Sequence, residues 1–182
     1  IFFEKNIFSI PVLNKRRIIG FYDIRDFLTQ TYGNSLALIM AGGFGKRLMP
    51  LTKKIPKPML PIKGKPILQT ILENLKKQNF KNILISTHYK SELIKKYFKS
   101  GEKLKIKIDY LHEKKPLGTA GCLKLLKKKT LNKFKYLMIV NGDILTDINF
   151  QNILDFHISH RSEFTIAVKN IVTSNNYGVI KG

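Results

Sequence analysis

The sequence has 182 residues, with 33 Lys and Arg against 12 Asp and Glu and a formal net charge of +21. Its hydrophobic fraction of 43% is enough to bury a core, which excludes an intrinsically disordered chain despite the charge. No apolar stretch is long enough to span a bilayer, and the single cysteine, Cys122, cannot form an internal disulfide. We therefore expect a cytoplasmic protein that makes no contact with membranes.

The basic charge is carried mainly by lysine. Only five of the basic residues are arginine, and the lysines are spread along the whole chain. Because arginine reads and stacks on bases whereas lysine is a hydrated point charge, this pattern does not favour a nucleic-acid partner. A nucleic-acid-binding protein would instead show a steep salt dependence and no selectivity among nucleotides.

Two apolar segments, residues 9–12 and 18–22, predict short strands that are followed by a helical pattern over residues 24–28. A β-β-α unit of this size buries little surface by itself. After the turn-like residues 31–34 the pattern changes, so we predict a boundary that separates residues 1–34 from a second domain over residues 35–182. Because the sequence starts without Met and stops just after a strand-like segment, we expect it to be cut at both ends.

Strands and helices alternate through the second domain, which predicts an α/β fold with a largely parallel sheet. The predicted strands are residues 36–40, 83–85, 106–110, 136–140 and 164–168. The predicted helices are residues 68–75, 91–98 with Ser91 as N-cap, a segment after Gly118, and 150–157 with Asp147 as a possible cap. In such folds the ligand site lies beyond the carboxyl ends of the strands.

A glycine-rich loop follows the first predicted strand of the second domain, at Ala41-Gly42-Gly43-Phe44-Gly45-Lys46-Arg47. It is not a Walker A loop, because Lys46 is followed by Arg47, and it is not a dinucleotide fingerprint, because Leu48 stands where a third glycine or alanine is needed. Its glycines still allow backbone N–H groups to approach a phosphate chain. Residues 35–72 hold seven basic residues and no acidic one, which predicts a site for a highly charged anion.

Three separated motifs together resemble the signature of the sugar-1-phosphate nucleotidyltransferases. The first runs from Leu38 through the glycine loop to Pro61 and Lys65-Pro66-Ile67, the second joins Glu113 to Pro116-Leu117-Gly118-Thr119-Ala120-Gly121, and the third is Asn141-Gly142-Asp143. The resemblance implies a Rossmann-like, three-layer nucleotidyltransferase domain with a largely parallel mixed sheet. It also implies transfer of a nucleotidyl group from a nucleoside triphosphate to a sugar 1-phosphate, with release of pyrophosphate.

The resemblance also implies roles for individual residues. Arg47 would neutralise the triphosphate and the departing pyrophosphate, and Lys57 would reach the phosphate where the bond forms. Asp143 would hold Mg²⁺, which prefers carboxylate oxygens and keeps several waters. The implied nucleotide-binding residues are Ala41, Gly42, Gly43, Gly45, Lys46, Glu113, Gly118 and Thr119, and Gly178 is implied next to the sugar. In this family a second metal-binding aspartate and a sugar-handling segment lie further along than residue 182, so we expect this chain to bind nucleotide better than it catalyses.

Glu113 falls where the family reads the edge of the base. An ionised carboxylate only accepts hydrogen bonds, and guanine offers N1–H and an N2 amino group side by side, so the sequence favours GTP. The alternatives are a uridylyl- or thymidylyltransferase of the same family, or a catalytically inert nucleotide-sensing module.

The N-terminal segment over residues 10–28 resembles the second half of a CBS domain. Asp23 replaces the threonine that helps that family bind adenine nucleotides, whereas Asp26 is kept. This region could mediate a homo-oligomer. A CBS unit ahead of a nucleotidyltransferase looks like the guanylyltransferases of bacterial nonulosonic (legionaminic) acid pathways, which would imply glucosamine 1-phosphate as substrate.

Overall fold

The computed structural model describes residue 7, residues 9–23 and residues 34–170. The strands are β1 (Ser9–Asn14), β2 (Arg17–Asp23), β3 (Ser35–Met40), β4 (Pro61–Ile62), β5 (Lys65–Pro66), β6 (Asn82–Thr87), β7 (Lys107–His112) and β8 (Tyr136–Asn141). The helices are α1 (Ile67–Lys77), α2 (Ser91–Phe98), α3 (Lys128–Leu131) and α4 (Phe150–Ser159). Short 3-10 segments lie at Lys46–Leu48, Leu51–Lys53, Lys57–Met59, Glu102–Leu104 and Gly121–Leu125.

The centre of the fold is a four-stranded sheet in the order β7-β6-β3-β8. All three strand pairs of this sheet are parallel. Strand β3 lies inside the sheet and is buried over almost its whole length, which explains why its sequence is a continuous apolar run rather than an alternating one. The predicted parallel α/β fold is confirmed, while its mixed character is not seen among the described strands, whose antiparallel pairs form two separate small sheets.

Each face of the sheet carries its own apolar layer. On one face, alternate β3 residues such as Ala37 and Ile39 pack with the buried sides of α1, α2 and α4. On the other face, Leu36 and Leu38 pack with Leu84 and Cys122 under the segment that leads to β8. The alternation of β3 side chains between the two faces therefore builds a three-layer domain.

The helix predicted after Gly118 is wrong. The chain instead forms a 3-10 segment over Gly121–Leu125, and α3 is only four residues long. Ala120 has a φ of 58°, which places the residue before this segment in the left-handed region, and Leu126 after it is extended. Because non-helical residues bound it on both sides, the segment holds only five residues, and short connecting segments often take the tighter 3-10 form.

The strand predicted at residues 164–168 is also not observed. Phe164, Ile166 and Val168 are 73%, 67% and 85% exposed, and no described strand pairs with this segment. An alternating apolar pattern forms a strand only when a neighbouring strand supplies the hydrogen bonds and a core face. A strand expected around residue 179 lies outside the described residues.

The predicted N-caps are replaced by other residues. Helix α2 begins at Ser91, and its N-cap is Lys90, which is left-handed with a φ of 50° and provides no side-chain bond. The cap of α4 is Asn149 rather than Asp147, since its side chain accepts a hydrogen bond from the Asn152 N–H at 3.0 Å.

A second, remote cap comes from Gln78, at the end of α1. Its Oε1 accepts hydrogen bonds from the N–H groups of Phe150 at 2.6 Å and Gln151 at 3.2 Å. The Gln151 side chain returns a hydrogen bond to the Gln78 carbonyl at 3.1 Å. Gln78 and Asn149 together satisfy three N–H groups of the first turn of α4, which would otherwise have no partner within the helix. This contact fastens α4 to the end of α1.

Replacing Gln78 with alanine is expected to lower the free energy of unfolding by about 1–3 kcal/mol, because two helix N–H groups lose their acceptor. Urea denaturation followed by circular dichroism measures the change. Gln69→Ala is the matched control, since Gln69 lies on the same helix and its side chain bonds Glu73 and Tyr97. Equal losses in the two variants would contradict a special role for Gln78.

The N-terminal strands form an antiparallel hairpin, as predicted, with Ile10 opposite Tyr22 and an irregularity between Val12 and Leu13. The helix predicted over residues 24–28 lies outside the described residues, so the CBS assignment stays a prediction. Within the described ranges, none of the helices combines the length and the apolar character needed to cross a bilayer.

Candidate functional site

A cavity of about 560 Å³ opens at the carboxyl ends of β3 and β8. Backbone and side chains of the glycine loop form one side, and the loop over residues 113–119 forms another. The predicted site residues that line it are Ala41, Gly42, Gly43, Gly45, Lys46, Arg47, Lys57, Glu113, Gly118, Thr119 and Asp143. The remaining one, Gly178, lies outside the described residues. Residues distant in sequence thus meet at the edge where the topology predicts a ligand.

The glycines of the loop serve different purposes. Gly45 has a φ of 65°, and a Cβ there would lie 2.9 Å from Thr52 Cγ2 and 3.0 Å from Lys57 Cβ. Thr52 Oγ1 also donates to the Gly45 carbonyl at 3.0 Å, which holds the loop against the segment that carries Lys57. A Cβ on Gly42 would lie 2.8 Å from Glu113 Oε1, whereas Gly43 has open space around it. Among the three glycines of this loop, Gly43 is therefore the one with free space where a Cβ would stand, and a ligand could approach its backbone from that side.

Lys57 and Asp143 form an ion pair at the edge of the cavity. Lys57 Nζ lies 2.5 Å from Asp143 Oδ2, and the two side chains are 34% and 36% exposed. Lys57 begins a 3-10 segment, and Asp143 follows β8 by two residues. A pair this exposed contributes at most about 1 kcal/mol to stability, so its position at the cavity is of more interest than its contribution to folding.

An aromatic cluster beside the glycine loop was not predicted from the sequence. The ring of Phe44 packs edge-on against His88 at 5.3 Å and tilted against Tyr89 at 5.4 Å, and Lys46 Nζ lies 5.7 Å from its centroid. The single proton of the Tyr89 hydroxyl is shared between the carbonyls of Thr52, at 3.3 Å, and Lys53, at 3.1 Å. Because His88 and Tyr89 directly follow β6, the carboxyl-edge rule could have placed them here.

Glu113 is only 6% exposed and is held from several sides. Its Oε1 accepts from the Ser86 hydroxyl at 2.5 Å, and its Oε2 accepts from the Leu117 N–H at 3.2 Å. Its backbone N–H bonds the Thr87 carbonyl at 2.9 Å, and its own carbonyl lies 2.7 Å from His88 Nδ1. A carboxylate can accept about four hydrogen bonds, so these two donors leave acceptor capacity for a ligand in the cavity.

Cys122 also lines the cavity but is buried. Burial raises the pKa of its thiol, and a hydrogen bond with Ser86 acts in the opposite direction to a smaller extent. The neutral thiol is a poor nucleophile. Cys122 therefore acts as a small buried apolar residue rather than as a nucleophile.

The oxygen-bearing side chains at the cavity fit a metal ion that is held only partly by the protein. The described residues contain no group of three or more His, Cys, Asp and Glu side chains that could enclose a metal ion. Asp143 contributes a single carboxylate, and the nearby Asn141 also lines the cavity. Mg²⁺ is commonly held by one or two carboxylates together with substrate phosphates. The residues therefore fit Mg²⁺ that arrives with a nucleotide, rather than a metal caged by protein.

Residues 36–182 match the family model described as "Nucleotidyl transferase". The chain is 41% identical over 144 residues to D-glycero-alpha-D-manno-heptose 1-phosphate guanylyltransferase of Campylobacter jejuni, covering 79% of this chain and 62% of that protein. It is 39% identical over 145 residues to the mannose-1-phosphate guanylyltransferase catalytic subunit beta of Danio rerio, covering 79% of this chain and 40% of that protein. The chain thus spans less than two thirds of the length of these curated relatives.

Two solved structures have a similar fold. HddC from Yersinia pseudotuberculosis, crystallised in complex with GMP-PN, is 30% identical with a TM-score of 0.57, over 68% of this chain and 54% of that one. A putative glucose-1-phosphate thymidylyltransferase from Bacillus anthracis is 24% identical with a TM-score of 0.63, over 69% of this chain and 50% of that one, and it supports the fold alone.

Proposed function

The chain belongs to the nucleotidyl transferase family, and from this premise we propose that the protein transfers the guanylyl group of GTP to a sugar 1-phosphate. The products are a GDP-sugar and pyrophosphate. The relatives described above are sugar-1-phosphate guanylyltransferases. The observation that carries the proposal is that residues of all three sequence motifs line one cavity of about 560 Å³ at the carboxyl edge of the sheet.

The reaction requires the protein to position the two substrates and to neutralise their charge, and it needs no nucleophile from the protein. An oxygen of the sugar phosphate attacks the α-phosphorus of GTP, and the bond to the departing pyrophosphate breaks. Gly43, Arg47 and Lys57 all line the cavity. In this proposal the backbone around Gly43 binds phosphate oxygens, Arg47 neutralises the leaving group, and Lys57 contacts the α-phosphate. Asp143 would hold Mg²⁺, which supplies further positive charge at the phosphates when it is bound.

The preference for GTP is assigned to Glu113. Ser86 and Leu117 hold its two oxygens, and the remaining acceptor capacity matches the adjacent N1–H and N2–H donors of guanine. Uracil and thymine offer only one such donor on this edge, so they pair less well with a carboxylate. The guanine assignment also agrees with the names of the curated relatives.

The sugar is assigned more broadly as a hexose, heptose or hexosamine 1-phosphate for cell-surface sugar synthesis. The curated relatives are named for mannose and heptose phosphates. The resemblance of residues 10–28 to a CBS half-domain favours glucosamine 1-phosphate, and it suggests that this region joins two copies of the protein. A panel of these sugar phosphates, assayed with GTP, distinguishes between them.

The proposal is tested by the thermal stability of the chain with Mg²⁺ and each of GTP, ATP, CTP, UTP and dTTP. A ligand at a hundred times its dissociation constant is expected to stabilise the fold by about 2.7 kcal/mol. GTP alone should give the full shift, and Glu113→Gln should reduce that selectivity. Equal shifts with all five nucleotides would contradict the guanine assignment, and no shift with any of them would contradict nucleotide binding by this chain.

A further inference from the structure

We propose that Ser86 is a positioning residue that sets the orientation of the Glu113 carboxylate and thereby the selectivity for guanine. This inference rests on the proposed function and adds a residue that lies outside the three sequence motifs. Ser86 does not line the cavity, and it acts through Glu113.

Ser86 is well placed to hold another side chain still. It is completely buried near the end of β6, and its Oγ lies 2.5 Å from Glu113 Oε1. Its own carbonyl accepts a hydrogen bond from the Ala41 N–H at 2.9 Å. One residue therefore connects the start of the glycine loop to the carboxylate that we assign to the base.

Contacts to both of its oxygens hold the Glu113 carboxylate in its observed orientation. Oε1 lies against Gly42, where a Cβ would be only 2.8 Å away, and Oε2 accepts from the Leu117 N–H. Ser86 supplies the hydroxyl that fixes Oε1 on this side. The Cys122 thiol also bonds Ser86, but a thiol is a much weaker donor than a hydroxyl and is a poor replacement for it. Without Ser86, Oε1 loses its side-chain donor, and the carboxylate is free to rotate toward other donors.

The test compares binding of GTP with binding of inosine triphosphate, which lacks the 2-amino group, by isothermal titration calorimetry with Mg²⁺. A hydrogen bond to a charged group corresponds to roughly 10–150-fold in affinity, so the wild-type chain is expected to bind GTP at least about tenfold more tightly. Ser86→Ala is expected to bring the two affinities within about threefold of each other. A purely structural role would lower stability or weaken both nucleotides equally, without changing their ratio.

Ser100→Ala is the matched control. The Ser100 hydroxyl also donates to a glutamate, Glu102, at 2.6 Å, but that pair is exposed and does not line the cavity. In this variant the ratio of the affinities for GTP and inosine triphosphate should equal that of the wild type. If Ser86→Ala does not fold, Ser86→Cys offers a slightly larger side chain with a weaker donor, and its preference for GTP over inosine triphosphate should also fall.

The outcomes separate the inference from the function on which it rests. If the wild-type chain discriminates between the two nucleotides and both Ser86 variants keep that discrimination, the role of Ser86 is wrong while the guanine assignment stands. If the wild-type chain binds both equally, Glu113 does not read the 2-amino group and the inference about Ser86 fails, whereas guanylyl transfer itself is decided by the comparison of the five nucleotides.

Discussion

Asp143→Asn is expected to lower the rate of Mg²⁺-dependent pyrophosphate release from GTP and a sugar 1-phosphate by at least about 100-fold. The substitution keeps the shape of the side chain and removes the charge that holds the metal. Without the metal, the charge that develops on the phosphates loses several kcal/mol of stabilisation. The rate is followed by a coupled pyrophosphate assay, with GTP affinity measured in parallel.

The GTP affinity in the absence of metal is not expected to fall in this variant. The Asp143 carboxylate repels the triphosphate and binds Lys57 at 2.5 Å, so its neutralisation removes a negative charge and releases a cation. Metal-free GTP should therefore bind Asp143→Asn at least as tightly as the wild type. Asp109→Asn is the control, since Asp109 lies 3.8 Å from Lys107 in an exposed ion pair. An unchanged Mg²⁺ dependence in Asp143→Asn would contradict the metal role.

The sequence could predict those elements that form from a local pattern of apolar residues. Strand β3 is a short apolar run that ends in glycines, and α1 repeats its apolar residues at helical spacing. The parallel topology then places the ends of β3 and β8 at one edge, so the order of elements predicts that edge for both Gly43 and Asp143. That they line one cavity also depends on β3 and β8 being neighbours in the sheet.

The parts that the sequence could not predict depend on tertiary contacts. Residues 164–168 alternate like a strand, but a strand also needs a hydrogen-bonding neighbour, which no described strand supplies. The cap that Gln78 provides for α4 joins residues 72 positions apart in sequence, which no local capping pattern describes. The sequence motifs identified Glu113, but its hydrogen bond with Ser86 is seen only in the structure.

Lys57→Met is expected to raise the dissociation constant of Mg²⁺-GTP about tenfold or more and to lower the rate of pyrophosphate release by about 100-fold or more. Removing one charge-assisted hydrogen bond costs roughly 1.5–3 kcal/mol of binding free energy. When the lost donor also stabilises the charge of the transition state, the reaction rate falls further. The free energy of unfolding should change by no more than about 1 kcal/mol, because the ion pair with Asp143 is about a third exposed.

Lys65→Met is the matched control for this prediction, since Lys65 is also paired with a carboxylate, that of Glu73, but does not line the cavity. Its activity should be unchanged. The double variant Lys57→Met/Asp143→Asn should lose less than the product of the two single losses, because both residues act on the same phosphates. If Lys57→Met instead lowers stability and leaves GTP binding intact, the pair with Asp143 is structural and the phosphate role is wrong.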